Sequence, residues 1–561
     1  MTVIGKYLKA ITKLADVNSL ITAMSFAGES AEYSGARELE AESGVYYKRP
    51  LWRAQEVIQA VGGESLHEQS WIVNRVVVDA NLVQSGDLFI DIQDKQKTKN
   101  KNAALAFERG AVCAVVSEKP KGVPFGAPLI FVKDTNAALS NLAKAARERM
   151  KGTVVAITGS VGKSSVKDML EVMLGAVGNV YTDAYGTGSL LHHYLGLANM
   201  PSETNYGVFE ISLNECDSIS DMAKVVKPDI AVINSIGFAH IGGIEQIKTQ
   251  PCTNVNEGRQ VLQAIARVKA GIFESLPENG VLILNRDMPM SLYIADMAKS
   301  RNIKNIFTFS SYVTADVMLR ALAMHPEFTD IGMLVDGKKI DCTVSAPGIS
   351  QIPNSMCAML VSYIVSGCLH ECAAALEHYR PKAGFGVAAK IPLGGNESFI
   401  LIDQTNEAGV DSFCSAIDDL NRIERKAEER KILVLHDIPE LGVSSPDLHI
   451  SLRSFIVESD IDKVFCCGEN VRYLYDALPA GFRGGFAENQ SELIELLTGQ
   501  MQNNDLVMVK GKDALSNIDT VSLLRAKYVE YGVGGMENGK WKIVYPIPYF
   551  IPHILYYRWK R

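Results

Sequence analysis

A short run of glycine, lysine and hydroxyl-bearing residues has the composition of a phosphate-binding loop. It reads Thr158-Gly159-Ser160-Val161-Gly162-Lys163-Ser164-Ser165. An apolar stretch typical of a β-strand (153–157) precedes it, and a helix-like stretch (166–174) follows it. In such a unit backbone N–H groups converge on phosphate, a lysine adds positive charge and a hydroxyl reaches magnesium. We therefore predict that ATP and Mg²⁺ bind here, through Gly159, Ser160, Gly162, Lys163, Ser164 and Ser165.

Five further polar residues follow apolar stretches or lie on a helix downstream of this loop. They are Glu210, His240, Lys269, Asn285 and Asp287. Strand ends of a parallel sheet share one edge, where α/β proteins gather their chemistry, and a carboxylate there can hold magnesium. Taken singly, each residue is more typical of a surface pair, a buried histidine, a solvated lysine or a turn. Their order along the chain favours the functional interpretation.

Composition and charge indicate a soluble enzyme with several domains. The chain has 561 residues, 47% hydrophobic and 21% charged, and a formal net charge of −8. These are ordinary globular values and argue against a nucleic-acid-binding protein. Residues 1–24 lack the apolar centre of a signal peptide, and no stretch is long enough to span a membrane, which predicts a cytoplasmic location. The ten cysteines lack paired spacing, which predicts reduced thiols and no zinc site.

Apolar runs of strand length alternate with helical patterns from about residue 51 to residue 525. Such alternation predicts mostly parallel sheets with helices on both faces. Near 381–395 the composition shifts to glycine, alanine and proline, which predicts a hinge. Four more strand-like runs follow that hinge, so the fold class is α/β.

The order of these features resembles the Mur ligase family. After the phosphate loop come Glu210, an N-S-x-x-x-x-H pattern that ends at His240, a K-x-x-x-F-x-x-L-P-E-N-G pattern that starts at Lys269, and an N-x-D pattern. Segments 271–280, 433–442 and 509–512 are similar to the D-alanyl-D-alanine-adding (MurF) branch of that family. The resemblance covers about 51–525. It implies a three-domain architecture with a central P-loop parallel-sheet ATPase domain and a Rossmann-like C-terminal domain.

The resemblance implies an ATP-dependent ligase that joins a carboxylate to an amine. An acyl phosphate forms first, and the amine then attacks it to give an amide, ADP and phosphate. The implied organisation is an N-terminal extension (1–50), an α/β domain for the acid substrate (51–150), the ATP-binding domain (151–390), an amine-binding domain (391–525) and a tail (526–561).

The resemblance also implies a role for each matching residue. Lys163 and Ser164 would hold phosphates and magnesium, and Glu210 and His240 would bind magnesium. Lys269 matches the lysine that carries a carbamate in this family and helps to place a second metal. These residues form the predicted catalytic and metal-binding set. Nucleotide contacts are implied for Asn285, Asp287, Lys390 and Asp403.

The sequence departs from the family mainly where the substrates bind. The D-S-R triplet of the acid-binding domain is here Asp79-Ala80-Asn81, and a later element is the lysine-rich run 95–102. The N-L-N-N, H-N-x-x-N and D-S-Y-N-A-N-P elements are also changed, at 184–187, 350–354 and 404–410. Arginine is the favoured residue for a bidentate grip on phosphate or carboxylate. The pattern therefore favours a MurF-like ligase that acts on a non-murein acid or amine.

Two alternatives stay open at the level of sequence. One is an authentic UDP-N-acetylmuramoyl-tripeptide D-alanyl-D-alanine ligase with diverged motifs. The other is a non-catalytic nucleotide-binding scaffold or partner subunit, against which the retention of Lys163, Glu210, His240 and Lys269 argues. The expected partners are a small carboxylic acid and an amine or amino acid, without nucleic acid. The apolar, proline-broken tail after about residue 527 predicts a segment packed on the last domain or a surface for a protein partner or a membrane.

Overall fold

Three large β-sheets with helices packed on them make up the fold. The structure is a computed structural model and describes residues 50–531, 536–537 and 540–541. Within the first range it leaves out 66–69, 93–101, 184–188, 213–217, 238–254, 326–327, 407–408, 424, 426–427, 440, 443–444 and 512–519. The α/β class with parallel sheets is confirmed.

The first sheet lies between residues 64 and 131, and its elements continue to the end of a long helix. They are β1 Trp52–Arg53, α1 Ala54–Val61, β2 Glu64–Ser65, β3 Ile72–Val73, β4 Arg75–Val77, β5 Asp87–Ile90, α2 Asn102–Glu108, β6 Cys113–Val116, β7 Leu129–Phe131 and α3 Thr135–Arg149. The strand order is β2-β7-β6-β5-β4, with β4 to β7 parallel. We name this part the N-terminal unit. Its strands β5 and β6 are wholly buried because helices cover both faces of the sheet.

The second sheet contains the phosphate loop, and we name this part the central unit. Its elements are β8 Thr153–Thr158, α4 Lys163–Gly175, β9 Val180–Thr182, α5 Leu190–Ala198, β10 Tyr206–Glu210, α6 Ile219–Val226, β11 Ile230–Ile233, α7 Val255–Ala270, β12 Val281–Asn285, α8 Ser291–Ser300, β13 Asn305–Ser310, β14 Val317–Met324, β15 Thr329–Val335, β16 Lys338–Val344, α9 Gln351–Ser366 and α10 Leu369–Ala375. The strand order is β16-β15-β14-β13-β12-β11-β8-β10-β9, with β15 antiparallel to both of its neighbours, β14 and β16.

Strand β8 occupies the middle of the parallel part of this sheet, between β10 and β11. Val155 and Ile157 pack into the core on one face, with α4 and α9, while Val154 and Ala156 pack into the core on the other face. A strand buried on both faces has an uninterrupted apolar sequence, which explains 153–157. Because its neighbours are parallel, β8, β10, β11 and β12 all end at the same edge, where the loop begins.

The third sheet forms the C-terminal unit. Its elements are β17 Val387–Gly394, β18 Glu397–Gln404, α11 Val410–Arg422, β19 Lys431–His436, α12 Ser445–Val457, β20 Lys463–Cys467, α13 Val471–Ala477, β21 Arg483–Ala487, α14 Gln490–Thr498, β22 Leu506–Lys510, α15 Thr520–Tyr531, and the pair β23 Met536–Glu537 and β24 Lys540–Trp541. The order is β17-β18-β22-β19-β20-β21, parallel except for β17. Successive strands are added in one direction from β18 to β21, and the chain then returns to place β22 between β18 and β19. In such sheets, ligands bind beyond the carboxyl ends of the strands, at the point where the direction of strand addition changes.

Direct contacts join the N-terminal unit to the central unit. The Trp52 indole N–H donates to the Ala198 carbonyl at 2.8 Å. Within the N-terminal unit, the Arg149 guanidinium lies 3.4 Å above the same Trp52 ring. The Asn199 side chain accepts from the Val76 N–H at 2.8 Å and donates to the Val76 carbonyl at 3.0 Å. Because Arg149 is largely desolvated, its pKa falls to about 10.

The domain limits expected from the sequence remain predictions, and two of them fall inside regular elements. The limit at 390 lies within β17, and the limit at 525 lies within α15. We therefore infer that the hinge predicted near 381–395 precedes β17. Residues 1–49 and most of the tail lie outside the described residues. Among the helices that the structure describes, none has the length and apolar character needed to cross a membrane.

Candidate active site

Gly162 shapes the phosphate loop between β8 and α4. Its φ of 80° lies in the left-handed region, where it ends the loop and caps α4. A Cβ at this position would lie 2.3 Å from Asn354 Oδ1 and 2.6 Å from Asn234 Nδ2. Both the backbone conformation and the space therefore require glycine. The loop folds closely around its own lysine, since Lys163 Nζ donates to the Gly159 carbonyl at 3.0 Å.

Ser235 braces the loop from the neighbouring strand end, a contact that the sequence analysis missed. Its hydroxyl accepts from the Val161 N–H at 2.8 Å and donates to the Val161 carbonyl at 2.9 Å. Its carbonyl accepts from the Ser160 N–H at 3.1 Å. The loop is therefore held by the residues that follow β11, and the sequence signal was the serine of the N-S-x-x-x-x-H pattern, to which no role had been assigned.

Ser164 and Glu210 form a hydroxyl–carboxylate pair at the edge of the central sheet. Ser164 Oγ donates to Glu210 Oε2 at 2.8 Å, and Glu210 is 5% exposed. Magnesium in nucleotide sites takes one or two protein oxygens and keeps several waters. The pair provides that donor set at the start of α4, so these residues fit a magnesium ion. His193 supports the Glu210 backbone, with its Nε2 3.2 Å from the Glu210 carbonyl oxygen.

Lys269 is buried at the C-terminal end of α7, with 6% of its surface exposed. Desolvation, followed by the nearby charge of Lys163, lowers the pKa of Lys269 to about 7. Lys269 makes no hydrogen bond to another residue in the part of the chain that the structure describes. A substantial fraction of its amine is therefore neutral near pH 7, and a neutral amine can add carbon dioxide to form a carbamate.

Asn285 ends β12 and Asp287 follows it at the same edge; of the two, Asn285 borders the cleft. The Asp287 carboxylate accepts from the Ser310 hydroxyl and, at 2.6 Å, from the Ser311 N–H. Its own N–H donates to Asn285 Oδ1 at 2.9 Å. Asp287 thus holds the turn after β13 in place, and the predicted nucleotide contact of both residues remains a prediction.

Asp403 and Lys390 belong to the C-terminal unit. Asp403 is 4% exposed; it accepts from the Gly384 N–H at 2.9 Å and from the Thr405 hydroxyl at 2.8 Å. Since Gly384 lines the cleft, Asp403 shapes its wall. Lys390 is exposed on β17, opposite Ile400 in the strand register, and is absent from the residues that line the cleft. The nucleotide roles predicted for both stay predictions.

A cleft of about 120 Å³ lies between the central and C-terminal units. From the central unit it is lined by Val161, Gly162, Ser165, Asn234, Ser235, Asn285, Ser350, Gln351, Pro353 and Asn354, and from the C-terminal side by Gly384, Phe385, Gln404, Ser412, Ser415 and Lys510. The buried oxygens Asn234 Oδ1 and Gln351 Oε1 accept no hydrogen bond from the described residues. These acceptors suit a ligand that carries N–H or O–H groups.

His240, the changed element at 184–187 and parts of two other changed elements (95–101 and 407–408) lie outside the described residues. The turn at 79–81 is described. Asp79 Oδ1 accepts from the Asn81 N–H at 2.9 Å and from the Asn81 side chain at 3.0 Å. Arg109 donates to the Asn81 carbonyl at 2.9 Å. A guanidinium is therefore present beside the turn, although residue 81 itself is not arginine.

The fold, the phosphate loop and the sheet edge are similar to those of the Mur-type ligases, which are ATP-dependent and ADP-forming. Residues 157–362 match the model of the Mur ligase middle domain. The chain is related to the Mur ligases, and the relatives that it resembles are their D-alanyl-D-alanine-adding, MurF-type members.

Two curated relatives illustrate the extent of this similarity. The UDP-N-acetylmuramoyl-tripeptide–D-alanyl-D-alanine ligase of Rickettsia prowazekii is 27% identical over 461 residues, covering 82% of this chain and 97% of that protein. The protein of the same name from Escherichia coli is 25% identical over 456 residues, covering 81% of this chain and 94% of that protein.

Solved structures share the fold. The MurF crystal structure from Acinetobacter baumannii has a TM-score of 0.68 at 22% identity, covering 86% of this chain and 99% of that one. MurF from Thermotoga maritima, in complex with ADP, has a TM-score of 0.64 at 19% identity, covering 82% of this chain and 98% of that one. The three-sheet arrangement is therefore that of the MurF-type ligases.

Proposed function

We propose that this chain joins the carboxyl group of a UDP-N-acetylmuramoyl-tripeptide to the amino group of D-alanyl-D-alanine, with hydrolysis of ATP to ADP and phosphate. The observation that carries the ligase chemistry is the set Lys163, Ser164, Glu210 and Lys269 at one sheet edge. The choice of substrates is supported by relatives of that activity, which align over 97% and 94% of their own length.

The first step is phosphoryl transfer, which depends on positioning and on neutralisation of charge more than on covalent help. The loop backbone and Lys163 hold the phosphates. Ser164 and Glu210 would hold magnesium, which neutralises charge on the transferring group. A carboxylate oxygen of the acid attacks the γ-phosphorus, and ADP leaves. The amine then attacks the carbonyl carbon of the acyl phosphate, so that an amide bond forms and phosphate departs.

Lys269 and His240 complete the proposed metal site. We propose that Lys269 carries a carbamate, since its low pKa leaves a neutral amine and its neighbour Lys163 is cationic. Conversion of the amine to a carbamate replaces a positive group with a negative one, which would offset the Lys163 charge and favour a second metal. Asn285, Asp287, Lys390 and Asp403 are proposed to contact the nucleotide directly or to shape its site.

The hypothesis of a non-murein acid or amine is the second candidate. It rests on the changed motifs, above all on Asn81, and the comparisons favour the murein alternative. The Arg109 guanidinium beside Asn81 supports that alternative too, because it supplies a cation close to the position of the missing one. A purely structural scaffold does not fit a chain that retains Lys163, Ser164, Glu210 and Lys269 together.

The test supplies ATP, Mg²⁺, UDP-N-acetylmuramoyl-tripeptide and D-alanyl-D-alanine and follows the product by mass and ADP by a coupled assay. Product formation at roughly 1 per second or faster, abolished in Lys163→Ala, supports the proposed substrates. ADP formation only with other acids or amines would support the second candidate. A folded wild-type protein that forms no ADP with any acid–amine pair would overturn both.

A further inference from the structure

We propose that Asp419 is a positioning residue that couples the seating of the C-terminal unit to the shape of the phosphate loop, acting through the first turn of α9. The proposal rests on the proposed ATP site. It assigns a role to a residue that no family motif marked in the sequence. Asp419 lines neither the cleft nor the loop, so any effect on ATP has to pass through other residues.

The first step is a contact between the two units. Asp419, on α11, is 1% exposed, and its Oδ1 accepts from the Ile349 N–H, just before α9 of the central unit. A Cβ on Gly348 would lie 2.7 Å from Asp419 Oδ2, and Gly348 has a φ of 120°. The carboxylate therefore packs directly on bare backbone, which fixes the start of α9. Gln404 Nε2 donates to the second oxygen at 3.1 Å.

The second step leads from the start of α9 to the loop. Asn354 lies in the first turn of α9, and its Oδ1 accepts from Asn234 Nδ2 at 2.9 Å. Asn234 Nδ2 also approaches the Val161 carbonyl at 3.3 Å. The same Asn354 oxygen lies 2.3 Å from the point where a Gly162 Cβ would stand. The amide pair thus rests against the loop at its tightest point.

Ile349, which makes the interunit contact, and Asn354, which makes the loop contact, are therefore only five positions apart at the start of one helix. Hydrogen bonds inside that turn make it rigid: the Gln351 N–H donates to the Gly348 carbonyl at 3.2 Å, and the Ile352 N–H donates to the Ile349 carbonyl at 2.9 Å. A shift at Ile349 must move Asn354 against Gly162, which has no free space. Loss of the Asp419 contact should thus weaken ATP binding by about two- to thirtyfold, the usual range for residues that transmit coupling.

The test measures ATP–Mg²⁺ affinity by calorimetry together with kcat and KM for ATP. Asp419→Ala should raise the Kd and KM for ATP. Asp419→Asn should restore near wild-type values, because its amide oxygen can accept from Ile349 and its N–H₂ can donate to a turned Gln404. Asp418→Ala is the matched control. Asp418 precedes Asp419 on α11, faces solvent and pairs with Arg422 at 3.0 Å, so this substitution should leave ATP affinity unchanged.

A double-mutant cycle with Asn354→Ala tests the route. If both residues act through the first turn of α9, the double variant should bind ATP no more weakly than the worse single variant. Additive losses, or an unchanged Kd in folded Asp419→Ala, would overturn the proposal. If Asp419→Ala fails to fold, Asn354→Ala provides the test. Unchanged ATP affinity in Asn354→Ala would show that the contact of Asn354 with the loop does not influence ATP binding, and would overturn the proposal. Hydrogen exchange at 345–354 should slow with ATP in the wild type and not in Asp419→Ala.

The outcome is separable from that of the proposed function. A wild-type protein that does not bind ATP, or a Lys163→Ala variant that binds it equally well, would refute the ATP site itself. Normal ATP binding in the wild type, lost in Lys163→Ala but unchanged in Asp419→Ala, would refute only the coupling.

Discussion

Ser164 and Glu210 belong to different strand–helix units, yet Ser164 Oγ and Glu210 Oε2 lie 2.8 Å apart. The reason is the register of the central sheet, in which Glu210 pairs with Ile157 on adjacent parallel strands. The loop that follows β8 then turns back so that α4 starts beside the end of β10. Two residues 46 positions apart thus form one oxygen site.

The Ser164–Glu210 pair predicts a specific magnesium dependence. Glu210→Gln keeps the shape and removes the charge, so kcat should fall roughly a hundredfold and half-maximal activity should require more Mg²⁺. The measurement is ADP formation across a Mg²⁺ titration. Glu203→Gln is the control, because that carboxylate is exposed and accepts from its neighbour Ser202 at 3.1 Å. An unchanged Mg²⁺ requirement in Glu210→Gln would remove Glu210 from the metal site.

Lys163 is predicted to bind phosphate and not merely to brace the loop. Lys163→Ala should abolish ADP formation and weaken ATP binding, while the melting temperature without nucleotide stays close to that of the wild type. Lys224→Ala is the control, since the Lys224 side chain is 61% exposed and its ammonium group pairs with Asp221. Calorimetric ATP titrations of the three proteins decide the matter. Equal ATP affinity in Lys163→Ala and the wild type would mean that Lys163 only braces the loop through its hydrogen bond to the Gly159 carbonyl.

Local sequence was enough to locate the loop, because a strand, a glycine turn and a helix start are adjacent in the chain. Glu210 was also predictable, since the end of a parallel strand has a fixed place. Ser235, Asn354 and Asp419 were not, because their roles depend on which strands and units become neighbours.

Asp287 illustrates the same limit. The resemblance to the Mur ligases implied a nucleotide contact for this residue, while the structure shows its carboxylate accepting from Ser310 and Ser311. That arrangement depends on β13 lying beside β12, which no local pattern in the sequence reveals.

Lys269 is predicted to be modified by carbon dioxide. Its pKa of about 7 lies below the ordinary lysine value, so the reactive neutral amine becomes more abundant as pH rises through 7. Carbon-13 NMR with labelled bicarbonate should show one carbamate signal that is absent from Lys269→Ala and whose intensity increases from pH 6 to pH 8. A spectrum without such a signal across that range would leave Lys269 as an unmodified amine.

Trp52 is predicted to hold the N-terminal unit on the central unit. Trp52→Ala removes a buried ring, its hydrogen bond to Ala198 and the surface below Arg149, so unfolding free energy should fall by about 3–5 kcal/mol. Trp52→Phe keeps a ring under the guanidinium but loses the hydrogen bond to Ala198. The free energy of unfolding should therefore fall by only about 1 kcal/mol. Urea unfolding, monitored by hydrogen exchange in residues 70–92 and 135–149, measures both. Equal losses in the two variants would contradict a role for the aromatic face.

His449 is predicted to make the C-terminal unit sensitive to acid. Its Nδ1–H donates to the Ser445 carbonyl at 2.7 Å, and its Nε2 accepts from the Ile438 N–H at 3.0 Å. Nε2 cannot accept once it is protonated, and burial, the largest cause, lowers the pKa of His449 below 6.5. The unfolded chain therefore binds a proton where the folded chain does not. The stabilisation that neutral His449 gives to the folded C-terminal unit is complete above pH 6.5. It is lost as pH falls through the lower pKa of His449 in the folded state.

The measurement has to be local, because Asp419 in the same unit acts in the opposite direction. Burial raises the pKa of Asp419 to about 7, with Asp418 raising it and Lys510 lowering it. Its contribution is therefore present below pH 3.8 and is lost as pH rises through 7. Hydrogen exchange at Ile438 should report His449 alone, with protection, corrected for intrinsic exchange, falling from pH 7 to pH 5. His449→Gln should flatten that dependence, whereas the exposed His378→Gln should not. Protection at Ile438 that stays constant in the wild type would show that His449 remains neutral throughout.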